Sequence, residues 1–360
     1  MLSLDDVALF RRVPALRDQL PWVRIGHWPT PVEPLEGLPG ARVAVFVKRE
    51  DRSNPDYGGN KIRTLEPILG LARARGARRI WATGAYGSNH ATATVVHAGK
   101  AGLRPGIAVF SQPLTIPARD NLLAMLACRP DVALMNSVIE LPFTMARLRR
   151  QPDDFVMAPG AASPRGALGA LSAALELGEQ IDRGECPLPA GIVVAVGSTC
   201  TTAGILAGLH LAARLGAGFR DALPHVTAVR VTPWPVTSRL RIARLAHRTA
   251  RKLARWAGVD PPSLARLHAG LTVEADFFGG GYGRATGAGY RAIEAFRGAS
   301  GPPLDVVYSA KSGAVLLELA ARPHPGPLLY WATKSSAPLP EPGPDDLAQA
   351  PRPLREWLEG

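Results

Sequence analysis

Two kinds of hydrophobic pattern alternate along the chain. Short runs rich in valine, isoleucine and alanine are separated by longer stretches in which apolar residues recur every three or four positions. The predicted strands are ARVAVFVKRE (41–50), RRIWATG (78–84), GIAVFS (106–111), VALMN (132–136), GIVVAVG (191–197), AVRVTPW (228–234), DVVYS (305–309) and PLLYWAT (327–333). Strands that alternate with helices are typical of βαβ units, which place parallel strands side by side. The pattern therefore predicts an α/β protein with mostly parallel sheets.

The order of these strands predicts two domains. We expect the strands before residue 50 and after residue 190 to share one sheet, and those between about 78 and 136 to form a second sheet. The predicted bounds are 1–60 and 165–340 for a large discontinuous domain, 61–164 for a small α/β domain inserted into it, and 341–360 for a C-terminal extension. Within the extension, proline-rich residues 341–353 are expected to be a mobile connector, and REWLEG (355–360) is able to dock.

Composition indicates a soluble, cytoplasmic protein. Apolar residues make up 46% of the 360 positions, which is enough for one large core or two medium ones. No apolar run approaches the roughly 18 residues that a membrane span needs, and the first residues, with Asp5 and Asp6, do not resemble a signal peptide. The cysteines Cys128, Cys186 and Cys200 are far apart, so neither a disulfide framework nor a zinc site is predicted.

The net positive charge of the chain is consistent with arginines on the solvent-exposed face of a helix. The net charge is +12, and a charge of this size raises nucleic acids and membrane surfaces as partners. Arginines are nevertheless scattered, with a single dense run from Arg239 to Arg255 in which they recur at spacings of three and four between apolar residues. This spacing predicts an amphipathic surface helix. We therefore expect neither nucleic acid nor membrane as a partner.

Lys61 differs from the other five lysines in its surroundings. It follows Tyr57-Gly58-Gly59-Asn60 and precedes apolar residues at helical spacing, so its amine is expected at the first turn of a helix. Free backbone N–H groups and the helix dipole at such a site favour an anionic cofactor and a lysine of lowered pKa, which Schiff-base chemistry needs. The alternative is an ordinary surface lysine at a helix start.

A second anion site is predicted between a buried strand and a helix. The loop GSTCTTAG (197–204) follows the predicted strand 191–197 and combines small residues with several hydroxyls. Backbone N–H groups and hydroxyls there would converge on one phosphate, but the loop matches neither GxxxxGK[ST] nor GxGxxG, which disfavours nucleotides. A tight turn with capping hydroxyls is the alternative. Together with Lys61, the loop favours pyridoxal phosphate, a monophosphate cofactor that bonds to a lysine.

Eight ordered segments resemble the 1-aminocyclopropane-1-carboxylate (ACC) deaminase and D-cysteine desulfhydrase family of fold-type II pyridoxal-phosphate enzymes. They are GHWPTPVEPLEGLP (26–39), VKREDRS (47–53), YGGNKIRTLEPIL (57–69), TGAYGSNHATAT (83–94), APGAASPRGALGA (158–170), VGSTCTTAG (196–204), GGGYG (279–283) and DVVYSAKSG (305–313). The resemblance covers most of the chain. It implies two three-layer α/β/α domains related to tryptophan synthase beta, and a homodimer, which is common among relatives.

The resemblance also implies roles for single residues. Lys61 would hold the cofactor as a Schiff base, Asn89 would hydrogen-bond its phenolic oxygen, and Ser309 would face its pyridine nitrogen. The implied phosphate-binding residues are Gly197, Ser198, Thr199, Cys200, Thr201 and Thr202. The implied substrate-binding residues are Ser88, Asn89, His90 and Thr333, with Tyr282 and Tyr308 as proton-transfer or positioning groups.

Simpler explanations exist for some of these residues. Ser88-Asn89-His90 could be only a helix N-cap, and Tyr282 could be only a loop anchor. His97 lies seven residues after His90, a spacing that metal pairs do not favour, so we expect it in the core or at the surface and predict no metal.

Two positions favour β-elimination as the reaction. Deaminase-like members usually have glutamate where this chain has Ser309, and Ser-Asn-Gln where it has Ser-Asn-His (88–90). A hydroxyl makes the cofactor ring a weaker electron sink, which suits loss of a good β-leaving group better than opening of a cyclopropane ring. The resemblance therefore implies a D-cysteine desulfhydrase-like lyase that releases a 2-oxo acid, ammonia and, from cysteine, sulfide. ACC deaminase-like ring opening, and a divergent member without turnover, are the alternatives.

Three departures from the family pattern bear on the substrate. Ala85-Tyr86-Gly87 replaces Gly-Ile-Gln, Cys200 replaces a glycine of the phosphate loop, and Lys334-Ser335 replaces Gly-Gly. A Cys200 side chain would strain a backbone of positive φ but fits an ordinary conformation. Lys334 places a charge where the family brings its backbone close to cofactor and substrate, and it could bind a second carboxylate.

Overall fold

The computed structural model describes residues 2–220 and 222–360. Its strands are β1 Val32–Pro34, β2 Val45–Lys48, β3 Arg79–Ala85, β4 Arg104–Phe110, β5 Asp131–Met135, β6 Asp154–Val156, β7 Gly191–Val196, β8 His225–Arg230, β9 Leu271–Glu274 and β10 Leu328–Trp331. Its α-helices are α1 Ala8–Arg12, α2 Lys61–Ala74, α3 Asn89–Ala98, α4 Ile116–Ala127, α5 Leu141–Leu148, α6 Ala167–Asp182, α7 Cys200–Arg214, α8 Arg239–Ala257, α9 Leu264–Ala269, α10 Gly287–Gly298, α11 Ser309–Ala320, α12 Pro344–Ala348 and α13 Arg352–Glu359. None of these helices has the length and hydropathy that crossing a bilayer requires.

The strands form two sheets, as the sequence predicts. The larger sheet has the order β1-β2-β10-β7-β8-β9, in which only the β1–β2 pair is antiparallel. The smaller sheet has the order β5-β4-β3-β6 and is parallel throughout. Strands before residue 50 and after residue 190 therefore share one sheet, and the intervening strands form the other. The predicted domain bounds remain a prediction.

Both faces of each sheet are covered by helices. In the central strand β7, Ile192 and Val194 pack into the core that contains α7, whereas Val193 packs with Leu316 of α11 on the opposite face. Every residue of β7 is buried, which is why its sequence is a continuous apolar run. The molecule therefore has the predicted α/β/α layers with mostly parallel sheets.

One predicted strand is wrong. DVVYS (305–309) forms a turn that leads into α11, not a strand. The Asp305 carboxylate accepts hydrogen bonds from the backbone N–H groups of Val307, Tyr308 and Ser309, at 2.9, 2.7 and 3.2 Å. A carboxylate at a helix start satisfies N–H groups that the helix leaves free. This cap outweighs the strand propensity of the two valines.

The C-terminal extension also differs from the prediction. The proline-rich segment contains the short helix α12, and α13 after it docks on the small sheet's side of the molecule. The indole N–H of Trp357 donates to the Gln112 carbonyl at 2.8 Å, and its ring meets Tyr86 edge-on with centroids 5.3 Å apart. Docking of REWLEG is thus confirmed, and the expected mobile connector is instead ordered structure.

The amphipathic basic helix is confirmed as α8. Ile242, Leu245 and Leu253 are buried. The arginines of the same helix are exposed to solvent, namely Arg241, Arg244, Arg248, Arg251 and Arg255.

Candidate active site

The carboxyl ends of strands from both sheets meet at one place. The segments that follow β2, β7 and β10 come from the large sheet, and the segment that follows β3 comes from the small one. Loops at the carboxyl ends of parallel strands are the usual location of binding sites in α/β proteins. Most residues selected from the sequence lie on these loops and on the helices they begin. Tyr282 instead lies on the loop after β9, and Tyr308 and Ser309 lie at the start of α11.

Lys61 is the first residue of α2, as predicted. The preceding Gly59 has φ +87°, and a Cβ atom there would lie 2.6 Å from the carbonyl oxygen of Thr333. The next amide, that of Asn60, donates to the same oxygen at 3.2 Å. Only glycine fits this close approach, so the Gly58-Gly59 pair fixes Lys61 against the loop that follows β10.

The Lys61 amine is prepared for nucleophilic chemistry. Removal from water lowers the pKa of Lys61, and the nearby Cys200 side chain opposes part of this shift. A lowered pKa increases the neutral fraction of the amine, which is the form that attacks a carbonyl.

The predicted phosphate loop, residues 197–204, has its strained residue at Thr199. Thr199 has φ +73° and is the N-cap of α7, whereas Cys200 is the first helical residue. The Cys200 thiol donates to the Ala161 carbonyl at 3.3 Å, and burial raises its pKa. The side chain of Cys200 therefore fits without backbone strain, and the thiol is neutral.

Two hydroxyls of this loop have the features expected for phosphate binding. The Oγ1 atoms of Thr199 and Thr202 are buried and make no hydrogen bond within the described residues. The hydroxyl of Thr201 accepts from the Asn60 amide at 2.8 Å, which connects the loop to the residue before Lys61. Buried hydroxyls without a partner are costly, so a bound phosphate oxygen accounts for them. The loop therefore fits the monophosphate of pyridoxal phosphate.

Ser88, Asn89 and His90 begin α3 at the end of β3. Ser88 is the N-cap, and its hydroxyl accepts from the Ala91 amide at 3.3 Å, as the simpler explanation predicts. His90 is buried with both ring nitrogens unbonded in the described part of the chain. Burial, with the charge of Lys61, lowers the pKa of His90 to about 3, so the imidazole is neutral. His97 lies in the core, where its Nε2 atom is 2.8 Å from the Tyr57 carbonyl oxygen.

The Asn89 side chain is held by three neighbours. Its Oδ1 atom accepts from Tyr57 at 3.1 Å, from the Asn121 amide at 2.8 Å and from the Lys334 ammonium at 3.2 Å. These three donors fix the orientation of the side-chain amide, so its Nδ2 group points away from them and is able to donate to another acceptor. A phenolic oxygen of the cofactor is an acceptor of this kind.

Tyr282 and Tyr308 are brought together although 26 residues separate them. Their hydroxyl oxygens are 2.5 Å apart and their rings meet edge-on. Removal from water raises the pKa of both phenols, so both are protonated at neutral pH. Lys311 anchors the loop of Tyr282 by donating to the Phe278 carbonyl at 2.6 Å. The ring of Tyr308 approaches the phosphate loop, since a Cβ at Gly197 would lie 3.5 Å from its Cε1 atom.

Ser309 is buried next to Asp305. Its hydroxyl donates to the Asp305 carboxylate at 2.8 Å and accepts from the Asp305 amide at 2.6 Å. The group at this position is thus a neutral hydroxyl that is already hydrogen-bonded. Thr333 contributes its carbonyl to Asn60, as described above.

Sequence reasoning missed Asn121, Gln112 and Asp305, which all line the cavity next to Asn89 and the two tyrosines. Asn121 lies on α4, and nothing near it in the sequence indicates its contact with Asn89. Asp305 had a signal, because aspartate side chains commonly accept hydrogen bonds from backbone N–H groups two or three residues further along the chain.

These features define a cofactor enzyme, and the comparisons identify its family. A family model described as "Pyridoxal-phosphate dependent enzyme" matches residues 23–333. The chain belongs to this family, and it is similar throughout to the ACC deaminase and D-cysteine desulfhydrase group. Its cofactor is pyridoxal phosphate, as the sequence predicts.

Curated relatives cover nearly the whole chain. Nocardicin C-9' epimerase of Nocardia uniformis is 34% identical, over 88% of this chain and 93% of its own length. A putative ACC deaminase of Pyrococcus horikoshii is 31% identical, over 86% of this chain and 89% of its own. D-cysteine desulfhydrase of Salmonella paratyphi A is 29% identical, over 85% and 91%.

Solved structures support the same conclusion. The crystal structure of an ACC deaminase homologue, 27% identical, superposes with a TM-score of 0.73 and covers 91% of this chain and 95% of that one. Diaminopropionate ammonia lyase of Escherichia coli, at 15% identity and a TM-score of 0.55 over 93% and 89% of the two chains, shows the shared fold alone.

Proposed function

We propose that this chain removes the Cα proton of a small amino acid and eliminates its β-substituent. Water then hydrolyses the unsaturated amine that the elimination releases, so the products are a 2-oxo acid and ammonia, with sulfide where the substrate is D-cysteine. The observation that supports this proposal is the combination of Lys61, an amine of lowered pKa, with the protonated hydroxyl pair of Tyr282 and Tyr308. Bound pyridoxal phosphate supplies an electron sink for the negative charge left at Cα.

The residues of this chain divide into those that hold the cofactor and those that hold the substrate. Lys61 would bond to the cofactor, Asn89 would donate from its Nδ2 atom to the phenolic oxygen, and Ser309 would face the pyridine nitrogen. The phosphate is held by the loop Gly197 to Thr202, with Thr199 and Thr202 supplying their unbonded hydroxyls. The substrate carboxylate is held at the start of α3 by Ser88, Asn89 and His90, with Thr333 beside it.

Proton transfer follows from the pKa shifts. The Lys61 amine accepts the Cα proton, because desolvation lowers its pKa and so increases its unprotonated fraction. The tyrosine pair, whose pKa values are raised, keeps its protons and can donate one to the leaving group. The neutral imidazole of His90 adds no positive charge to this arrangement.

Ser309 supports elimination over ring opening. A neutral hydroxyl that is already bonded to Asp305 cannot stabilise a protonated pyridine nitrogen as a carboxylate does. The weaker electron sink suits a reaction in which negative charge at Cα is short-lived.

Epimerisation at Cα is the second candidate. It is favoured by the 34% identity to nocardicin C-9' epimerase and by the presence of both a base and protonated hydroxyls, which inversion at Cα requires. The two candidates share the removal of the Cα proton and differ in whether a proton returns or a substituent leaves.

One assay separates the candidates. Holoprotein is incubated in D₂O with D-cysteine, L-cysteine, diaminopropionate and ACC. The release of 2-oxo acid and Cα deuterium are followed by NMR, and the configuration at Cα is followed by chiral chromatography. Release from D-cysteine or diaminopropionate supports the proposal, and release from ACC alone contradicts it in favour of ring opening. Deuterium with inversion and no 2-oxo acid supports epimerisation instead. Bound cofactor with neither exchange nor product contradicts both.

We further propose that the chain acts in the cytoplasm, because its three free cysteines fit a reducing compartment, and that it is a homodimer, because the family resemblance implies it. Light scattering of the holoprotein tests the assembly, since a mass of one chain would contradict it.

A further inference from the structure

Lys334 extends into the cavity that Asn89, Gln112 and the two tyrosines line. Its ammonium donates to the Oδ1 atoms of Asn89 and Asn121, at 3.2 and 3.5 Å, and lies 5.8 Å from the centre of the Tyr57 ring. The family pattern implies glycine at this position, and this chain has a lysine there.

The charge of Lys334 has no counter-ion. No carboxylate forms an ion pair with Lys334 within residues 2–220 and 222–360, and its partners are neutral amide oxygens. Asp305 and Asp120 act on Lys334 only from a distance, and the Asp305 oxygens are used by the cap of α11. Desolvation lowers the pKa of Lys334, which shows how strongly water is excluded from this ammonium. A cation in such surroundings gains most from an anion that enters the cavity.

The α-carboxylate of the substrate already has a site. The start of α3 offers free backbone N–H groups and the side chains from Ser88 to His90. Lys334 reaches Asn89 from a different element, the loop that follows β10, and its other partner Asn121 lies on α4. Its charge is therefore available to a different part of the substrate.

We propose that Lys334 binds a second acidic group on the amino acid substrate, a side-chain carboxylate. The inference rests on the proposed function, because it assumes that an amino acid occupies this cavity. The substrate class is then an amino acid whose β-substituent carries a carboxylate, so that elimination breaks the bond from Cβ to that substituent and releases the acid with the leaving group. The charge of Lys334 selects it by pairing with the side-chain carboxylate, and an uncharged side chain leaves the ammonium without a partner.

Matched amino acids test the proposal without turnover. Holoprotein is titrated calorimetrically with both enantiomers of glutamate and glutamine, and of aspartate and asparagine, which differ mainly in the charge of the side chain. We expect an acid to bind about tenfold or more tightly than its amide. Lys334→Gln should bind acid and amide equally while keeping the cofactor, and Lys334→Arg should keep the preference. Lys252→Gln, on the exposed surface of α8, is the control and should match the natural chain.

Two results would overturn the inference. One is equal binding of acid and amide by the natural chain. The other is that Lys334→Gln weakens acid and amide alike, which would assign the ammonium to the α-carboxylate. Binding of D-cysteine is measured alongside: a holoprotein that binds D-cysteine but none of the acids also overturns the inference. One that does not bind D-cysteine either contradicts the proposed function itself, so the two failures are distinguishable.

Discussion

The hydroxyl oxygens of Tyr282 and Tyr308 lie 2.5 Å apart. Tyr282 comes from the glycine-rich loop after β9 and Tyr308 from the turn before α11, so two separate elements must be placed correctly to form the pair. Lys311 anchors the first element through Phe278, and the Asp305 cap anchors the second. Because both pKa values are raised, both hydroxyls keep their protons at neutral pH and are able to act as hydrogen-bond and proton donors.

Removal of either hydroxyl should lower turnover and leave cofactor binding intact. We expect Tyr308→Phe and Tyr282→Phe to reduce kcat by about 10²- to 10⁴-fold, the usual contribution of a positioned acid or base. The visible absorbance of bound cofactor should not change. Tyr290→Phe, on an exposed tyrosine, is the matched control. Unchanged kcat in both site variants would show that the pair takes no part in proton transfer.

A substitution in the predicted phosphate loop should instead weaken cofactor binding. Thr202→Val keeps the shape of the side chain and removes a buried hydroxyl that lacks a partner within the described residues. A hydrogen bond to a charged group contributes about 1.5–3 kcal/mol, so the affinity for pyridoxal phosphate should fall roughly tenfold to hundredfold. Equilibrium titration of the apoprotein measures this, with Thr272→Val in β9 as the control. Equal affinity in Thr202→Val would remove this hydroxyl from the phosphate site.

The C-terminal helix should affect the substrate side of the site. Trp357 contacts Tyr86 and the Gln112 carbonyl. Gln112 lines the cavity next to Asn89 and the two tyrosines, on the substrate side of the site. We expect Trp357→Ala to raise KM for the amino acid and to cost about 1–3 kcal/mol of unfolding free energy, with cofactor absorbance retained. Arg355→Ala, on an exposed residue of the same helix, should leave KM unchanged. If KM is unaffected in Trp357→Ala, the extension has no influence on the site.

Acid should destabilise the fold through its buried histidines. Burial lowers the pKa of His90 to about 3 and that of His97 and of His210 to about 4, against 6.5 when unfolded. The unfolded chain then binds more protons, so this stability is present above about pH 6.5 and is lost as the pH falls towards these folded-state values. Between pH 7 and 5 we expect a loss of about 1–2 kcal/mol per histidine in denaturant unfolding.

Two variants identify the groups responsible for that loss. His210→Gln, away from the active site, should reduce the pH dependence, whereas His27→Gln, on an exposed side chain, should leave it unchanged. An unfolding free energy that is constant between pH 7 and 5 would contradict this explanation.

Much of the fold was predictable because its patterns are local. The apolar run of β7, the small-residue loop and the helix α7 follow one another in sequence, so the strand, anion site and helix can be identified together. Gly58 and Gly59 indicated Lys61 for a physical reason, since both lie against backbone carbonyls where a Cβ would not fit.

The sequence-based predictions were wrong or incomplete where helix capping or tertiary packing determines the local structure. The valines of DVVYS predict a strand, but hydrogen bonds to the Asp305 carboxylate end any strand there and start α11. Prolines suggested a connector after residue 340, yet Pro344 and Pro353 lie in the first turns of α12 and α13, where a helix tolerates them. The contact between Asn89 and Asn121 depends on how α3 packs on α4, which a single sequence does not reveal.

The attachment of the cofactor to Lys61 is the central claim, and chemical trapping tests it directly. Holoprotein is reduced with borohydride, digested and analysed by mass spectrometry for the peptide that carries the pyridoxyl group. We predict that the label lies on Lys61 and that Lys61→Ala yields neither label nor visible cofactor absorbance. A label on Lys48, Lys311 or Lys334 in the natural chain would contradict the account.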